Sequence, residues 1–192
     1  MKVIGITGGI GSGKSIVSKV FKVLGIPVYD SDSEAKLLLN TSLNLRKSII
    51  FLLGEQAFNE EGYNRSFVSK QVFNDEVLLQ KLNDIVHPSV AKHFEEWKTK
   101  QKTDIVGKET ALLFQTGLYK QMDVNILVWA DESVRIKRIQ DRDRERSLEQ
   151  ILAIMDKQGD WKKMKSLADF VVYNDGNEAL LPQIKIICNK IR

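Results

Sequence analysis

Cysteine is nearly absent. Cys188 is the single one in 192 residues, which excludes an internal disulfide. It sits in the apolar run Ile184-Lys185-Ile186-Ile187-Cys188, a place for packing rather than reactivity. Long hydrophobic runs are missing too. No apolar stretch approaches the ~20 residues that cross a bilayer, and the N-terminus enters a strand almost at once with no cleavable signal. A soluble, cytoplasmic chain with no membrane partner is expected. An excess of one charge is also lacking, since 29 basic side chains meet 25 acidic ones for a net charge of +4. Such a balance is an ordinary mixed surface and gives little reason to expect nucleic acid. No repeat, low-complexity segment or linker interrupts the sequence, so any subdomain is an insertion into one fold, long enough to bury a substantial core. Nothing demands a partner for stability, and a monomer or small homo-oligomer is expected.

What is present starts with Gly8-Gly9-Ile10-Gly11-Ser12-Gly13-Lys14-Ser15, which fits the spacing G-x-x-x-x-G-K-[ST] of a phosphate-binding loop. Glycines let successive backbone N–H groups turn inward around phosphate oxygens, the lysine reaches the terminal phosphates, and the hydroxyl of Ser15 suits Mg²⁺. The context agrees. Lys2 to Thr7 reads as a short buried strand, and Ser15 to Phe21 opens a helix whose positive N-terminal end faces the phosphates. A nucleoside triphosphate is therefore expected on Gly11, Ser12, Gly13, Lys14, Ser15 and Ile16.

Ile26 to Tyr29 reads as the second strand, reached through Gly25 as a helix C-cap. Asp30-Ser31-Asp32 follows it directly. Ligands of an open parallel sheet bind beyond the carboxyl ends of its strands, which makes Asp30 and Asp32 candidates for the acceptor site. Asp30 or Ser31 could instead cap the next helix. From about Leu43 to Lys102 the pattern is helical, with a single clear turn at Asn59 to Tyr63, and reads as an insertion that holds or covers a substrate. Within it His87-Pro88 is expected to break a helix. His87 either fills the kink or contacts a ligand through its ring nitrogens. Strands are expected at Asp104 to Gly107, Asp123 to Ala130 and Phe170 to Tyr173. Between the last two, Ser133 to Arg146 is helix-prone and rich in arginine, as is a lid that closes on a transferring phosphoryl group. Ser147-Leu148-Glu149-Gln150 resembles a capping box for the returning helix.

These elements predict an α/β fold of the P-loop nucleoside triphosphate hydrolase type. It has a five-stranded parallel sheet with helices on both faces, a helical substrate-binding insertion and a helical lid. The guanine-reading N-K-x-D of GTPases is absent, because Asn189-Lys190 runs out at Ile191-Arg192. No hydrophobic-run acidic pair of the kind motors carry is evident. A small-molecule kinase needs less: the loop, an acid near the acceptor hydroxyl, a holding insertion and an arginine lid, and each has a candidate. Acceptors such as a nucleoside, a sugar or a shikimate-like alcohol stay open at this point. So, more remotely, does a nucleotide switch or nucleic-acid-binding ATPase suggested by the basic segment from 135 to 146.

The chain also resembles the dephospho-coenzyme A kinases over essentially its whole length. The resemblance lies in Thr7 to Ser15, Leu24 to Asp32, His87-Pro88, Leu112-Leu113-Phe114, Gln140-Asp141-Arg142-Asp143, Gln158 and Ala168 to Gly176. It implies ATP-dependent phosphorylation of the ribose 3′-hydroxyl of dephospho-coenzyme A, the last step of coenzyme A synthesis, with ATP and Mg²⁺ and a single domain in three parts. Those parts are a nucleotide core at about 1–30, 103–132 and 159–192, an acceptor-binding insertion at about 31–102 and a lid at about 133–158. With this resemblance the expected catalytic residues are Lys14, Asp32 and Arg142, with Asp30, Asp32 and His87 at the acceptor, and Asn174 and Gly176 beside the adenine. The sequence departs from the family pattern at Ile16, where a threonine is common, and at Ala111 and Gln115, where proline and glutamate often flank Leu-Leu-Phe.

Overall fold

The computed structural model describes residues 1–73 and 75–192. They form two compact units, Met1–Asp30 together with Gln101–Arg192, and Ser31–Lys100.

The first unit opens with β1 (Lys2–Thr7), buried at every position but its first. The phosphate-loop sequence then leads into α1 (Lys14–Val23), which turns Val17, Ser18 and Phe21 inward. Its end is fixed by backbone geometry. Gly25 adopts φ 85, donates to the Lys22 carbonyl, and lets Ile26 donate back to Phe21, the paired bonds of a Schellman stop. β2 (Val28–Asp30) follows at once.

The second unit is mainly helical: α2 (Ser31–Thr41), α3 (Leu43–Leu53), α4 (Arg65–Val72) and α5 (Glu76–Thr99), with β3 (Phe58–Asn59) and β4 (Gly62–Tyr63) between α3 and α4. Leu45, Ile49, Ala57, Phe58, Val68 and Leu82 make its core. The sequence reading is corrected here in two places. The turn at Asn59 to Tyr63 is flanked by an antiparallel pair, Phe58 opposite Tyr63, whose strands are too short to carry a period of two. And Pro88 does not break its helix, which runs unbroken through it. Interior proline costs about 3 kcal/mol. Buried Leu82 ahead of it and buried Phe94 after it offset that, at roughly 1.5–3 kcal/mol for each large apolar side chain. Phe94 also stacks on Trp97 at 6.0 Å.

The chain returns to the first unit with β5 (Ile105–Glu109) and β6 (Val124–Trp129), then α6 (Glu132–Arg142), α7 (Leu148–Lys157), α8 (Trp161–Leu167), β7 (Phe170–Tyr173) and α9 (Leu180–Ile191). The five long-range strands lie parallel in the order β2-β5-β1-β6-β7, as expected of this fold, with ends shifted by a residue or two. One face carries Ile4, Ile6, Val28, Ile105, Ile126, Val128 and Val172, packed under Val17 and Phe21 of α1 and Ile184, Ile187 and Cys188 of α9. Cys188 is thus a core residue, and burial pushes its thiol up from the ordinary value. On the other face Gly5 lets Leu113 and Met122 come close, since a methyl there would meet both. The capping box before α7 is formed, with Ser147 and Gln150 exchanging side-chain and backbone bonds. Among the described residues no helix is long and apolar enough to cross a membrane.

Candidate active site

Parallel pairing places the carboxyl ends of all five strands on one edge of the sheet. β1 is the middle strand, so the loop that follows it, Gly8 to Gly13, emerges at the centre of that edge.

The loop is held through its carbonyls. Lys14 Nζ donates to the carbonyls of Gly8 (2.7 Å) and Gly9 (3.3 Å). Arg135 Nε donates to Ile10 (2.8 Å), Arg138 Nη1 to Gly11 (3.4 Å), and the buried Asn174 Nδ2 to Ser12 (2.8 Å). The Gly13 carbonyl accepts from Ile16 and Val17 at the start of α1. Peptides here are trans, so a carbonyl turned outward turns the following N–H inward. The N–H groups of Gly11, Gly13 and Lys14 are thereby aimed at the concave side, where an anion at a helix N-terminus is bound.

Gly13 shows why the motif demands glycine. It holds φ 90 as the N-cap of α1, and a methyl there would run into Asn174 Nδ2. Gly9 is constrained by space alone, since the Arg135 guanidinium lies over it.

The arginines reach the loop from α6. Arg135 and Arg138 are one turn apart, and Arg142 is seven residues beyond Arg135, so all three share a helix face with Arg142 about 10 Å along the axis from Arg135. Arg142 itself is the exposed last residue of α6. Burial lowers the Arg135 pKa from its ordinary value, partly countered by Glu132. The residue after α7 also touches the loop: Gln158 accepts the Ile10 N–H at 2.7 Å through Oε1. Behind these contacts lies a cavity of about 340 Å³, lined among others by Ser12, Trp129, Arg135, Met155, Gln158 and Trp161.

Strand register adds two carboxylates. Ile6 is opposite Glu109, and Glu109 is opposite Asp30. In-register residues of parallel strands share a face. Asp30 and Glu109 therefore stand on the Ile6 face, the one α1 covers as it packs across β1, β2 and β5. Ser15, in the first turn of that helix, is exposed.

The other expected positions are placed as follows. Ile16 is 51 % exposed, so this departure leaves an apolar side chain in solvent. Gly176 is exposed in the loop after β7, whereas Asn174 is buried against the phosphate loop. Asp32 is exposed in the first turn of α2, two residues along the chain from Asp30, and His87 is exposed on α5; both belong to the second unit. Gln115 donates through Nε2 to the Gln158 carbonyl at 2.5 Å. Sequence reasoning did not assign site roles to Arg135, Arg138, Gln158, Gln115 or Glu109. Arg135 and Arg138 could have been found from their spacing on one helical face with Arg142, and Glu109 from its place at the carboxyl end of β5.

The family model described as dephospho-CoA kinase matches residues 2–179. The dephospho-CoA kinase of Bacteroides fragilis strain YCH46 is 38% identical over 182 residues, covering 94% of this chain and 88% of that protein. Among solved structures, a crystal structure from Thermus thermophilus superposes with a TM-score of 0.89 at 29% identity, covering 100% of this chain and 98% of the other. The dephospho-CoA kinase from Campylobacter jejuni gives 0.69 at 27% identity with the same coverage. With its phosphate loop braced by the arginines of α6 and matched along nearly its whole length, the chain belongs to the dephospho-CoA kinase family.

Proposed function

We propose that this site carries out direct in-line transfer of the γ-phosphoryl group of ATP to the ribose 3′-hydroxyl of dephospho-coenzyme A, giving coenzyme A and ADP, the last step of coenzyme A synthesis. The observation that carries the reading is the phosphate loop. Its Ile10, Gly11 and Ser12 carbonyls are tied back by Arg135, Arg138 and Asn174, which preorganises the N–H groups that follow for a phosphate.

Phosphoryl transfer asks the protein for position and charge more than for covalent chemistry. The backbone of Gly11 to Ile16 cradles the β- and γ-phosphates. Lys14 exchanges its loop carbonyls for phosphate oxygens. Arg142, on the face of α6 that already meets the loop, swings onto the group in flight. Asp32 accepts or orients the proton of the acceptor hydroxyl, which becomes acidic only late in transfer, and Asp30 is the neighbour that could do so through water. His87 contacts the acceptor, and Gly176 lies by the adenine with Asn174.

The donor set suits a small hard cation, which takes oxygen ligands and keeps several waters. The Ser15 hydroxyl would hold Mg²⁺, with Asp30 and Glu109 binding its water shell. Such an ion supplies neutralisation of charge on the β- and γ-phosphates. The protein works in the cytoplasm as a monomer or small homo-oligomer, without nucleic acid or membrane.

The test gives purified protein MgATP and dephospho-coenzyme A, with adenosine and shikimate as control acceptors, and follows ADP release with and without DNA or RNA. ADP formation stoichiometric with coenzyme A, and with no other acceptor, is expected. Release stimulated by nucleic acid alone would overturn the assignment.

A further inference from the structure

Ile10 in the loop is gripped on both of its flanking peptides from the segment that begins with α6 and ends at Gln158. Its N–H goes to Gln158 Oε1 at 2.7 Å and its C=O receives Arg135 Nε at 2.8 Å. The same Gln158 oxygen lies 3.5 Å from Arg135 Nη2. Gln158 is itself held, because Gln115, on the segment after β5, donates to its backbone carbonyl. Around these bonds the contact between lid segment and loop is loose, with a cavity of about 340 Å³ that Gly9, Arg135 and Gln158 all help to line. Where apolar packing leaves such a gap, a few directed bonds define the geometry.

We propose that Gln158 is a positioning residue for nucleotide binding, and that Gln115 acts through it. The inference deepens the kinase reading and rests on it. The side-chain oxygen of Gln158 fixes the plane of the Gly9–Ile10 peptide and, through its contact with Nη2, orients the Arg135 guanidinium. Arg135 in turn holds the Ile10 carbonyl, and the Ile10–Gly11 peptide plane that it fixes sets the direction of the Gly11 N–H, a phosphate donor. Because Gln158 ends the lid segment that began at Arg135 and Arg138, it also registers the lid against the loop. Gln115 supplies an N–H that a carboxylate at the same position lacks. The amide there therefore has a use in this chain, which is to hold Gln158 in place.

The test is a cycle of near-isosteric variants. Gln158→Met keeps length and removes the acceptor, Gln158→Glu keeps an acceptor oxygen for both Ile10 and Arg135, and Gln115→Met removes the donor. MgATP affinity is read by direct titration, and KM for each substrate by steady-state assay, with thermal melts alongside. A hydrogen bond of ordinary strength predicts a roughly three- to tenfold loss of MgATP affinity in Gln158→Met. KM for dephospho-coenzyme A and melting temperature should stay near the wild type, and Gln158→Glu should recover most of the affinity. Gln115→Met should weaken MgATP binding on its own by about two- to fivefold but add nothing in the Gln158→Met background. The proposal is overturned by unchanged MgATP affinity in Gln158→Met. It is equally overturned by losses that fall alike on both substrates, or by full additivity of the two variants. Wild-type turnover reports separately on the kinase reading, since titration with MgATP tests the grip whichever acceptor is used.

Discussion

Replacing Asn174 with alanine separates two roles that a single position beside a nucleotide can have. The family resemblance puts this residue next to the adenine. In the structure its side chain is buried and gives its N–H to the Ser12 carbonyl at 2.8 Å, directly over Gly13. Removing the donor leaves a carbonyl inside the loop without its partner, which costs about 1–3 kcal/mol. The free protein escapes part of that cost by letting the Ser12 peptide turn toward water. The loss then shows as a smaller fraction of loops ready to bind, and the apparent dissociation constant rises by the inverse of that fraction. With about 1.4 kcal/mol per factor of ten, affinity should fall between roughly 5- and 100-fold. The discriminating assay titrates wild type and Asn174→Ala with MgATP and with magnesium tripolyphosphate, which has the phosphates and no base. If Asn174 braces the loop, both ligands weaken by the same factor. Asn174→Asp, which sets a carboxylate against the Ser12 carbonyl, weakens them further. Loss confined to MgATP would refute the brace and make Asn174 a reader of adenine.

Other perturbations address the remaining roles. Lys14→Ala should lower kcat by about 10²-fold or more, the scale of losing one charged donor at a transition state; a variant with near-normal turnover would remove the phosphate-loop assignment. Asp32→Asn should lower kcat by roughly 10²- to 10⁴-fold with little change in KM for ATP, and an unchanged kcat would pass the proton to Asp30. Arg142→Ala should cost more than about 1 kcal/mol in kcat/KM, or a factor above roughly five, and a change within about threefold would end its lid role. Burial holds the Cys188 thiol above its ordinary value of 9.0, so the buried neutral form contributes fully below that pH and is lost as pH rises through the folded value. Urea midpoints should therefore fall more steeply above pH 9.0 for wild type than for Cys188→Ala, and parallel curves would contradict this.

Much of the fold can be read from short, local patterns. β6 is apolar along almost its whole length because it is covered on both faces, and such a run announces a central parallel strand. Pro88 misled for the opposite reason. Its local penalty is real, but the decision belongs to residues six before and six after it, Leu82 and Phe94, whose burial is set by the tertiary fold. The pair β3 and β4 escaped because strands of two residues contain no period at all; only the turn between them, closed by Gly62 at φ 110 as the first residue of β4, leaves a trace.

The site divides along the same line. Gly8 to Ser15 is legible because the groups that touch phosphate must be consecutive: the peptide chain itself makes the cradle, so its chemistry is written as spacing. What holds the cradle open has no such obligation. Its carbonyls can be tied by any donor that the topology delivers, and here they are tied by residues 125, 127 and 162 positions away in Arg135, Arg138 and Asn174. None of these contacts needs neighbours in sequence, and a donor to a backbone oxygen can be arginine, asparagine or lysine alike. The binding surface of a phosphate loop is thus specified by a motif, whereas its stiffness is specified by the fold. Substitutions that spare every motif residue but alter Gln158, Arg135 or Asn174 should leave a chain that still matches the motif and binds ATP less well.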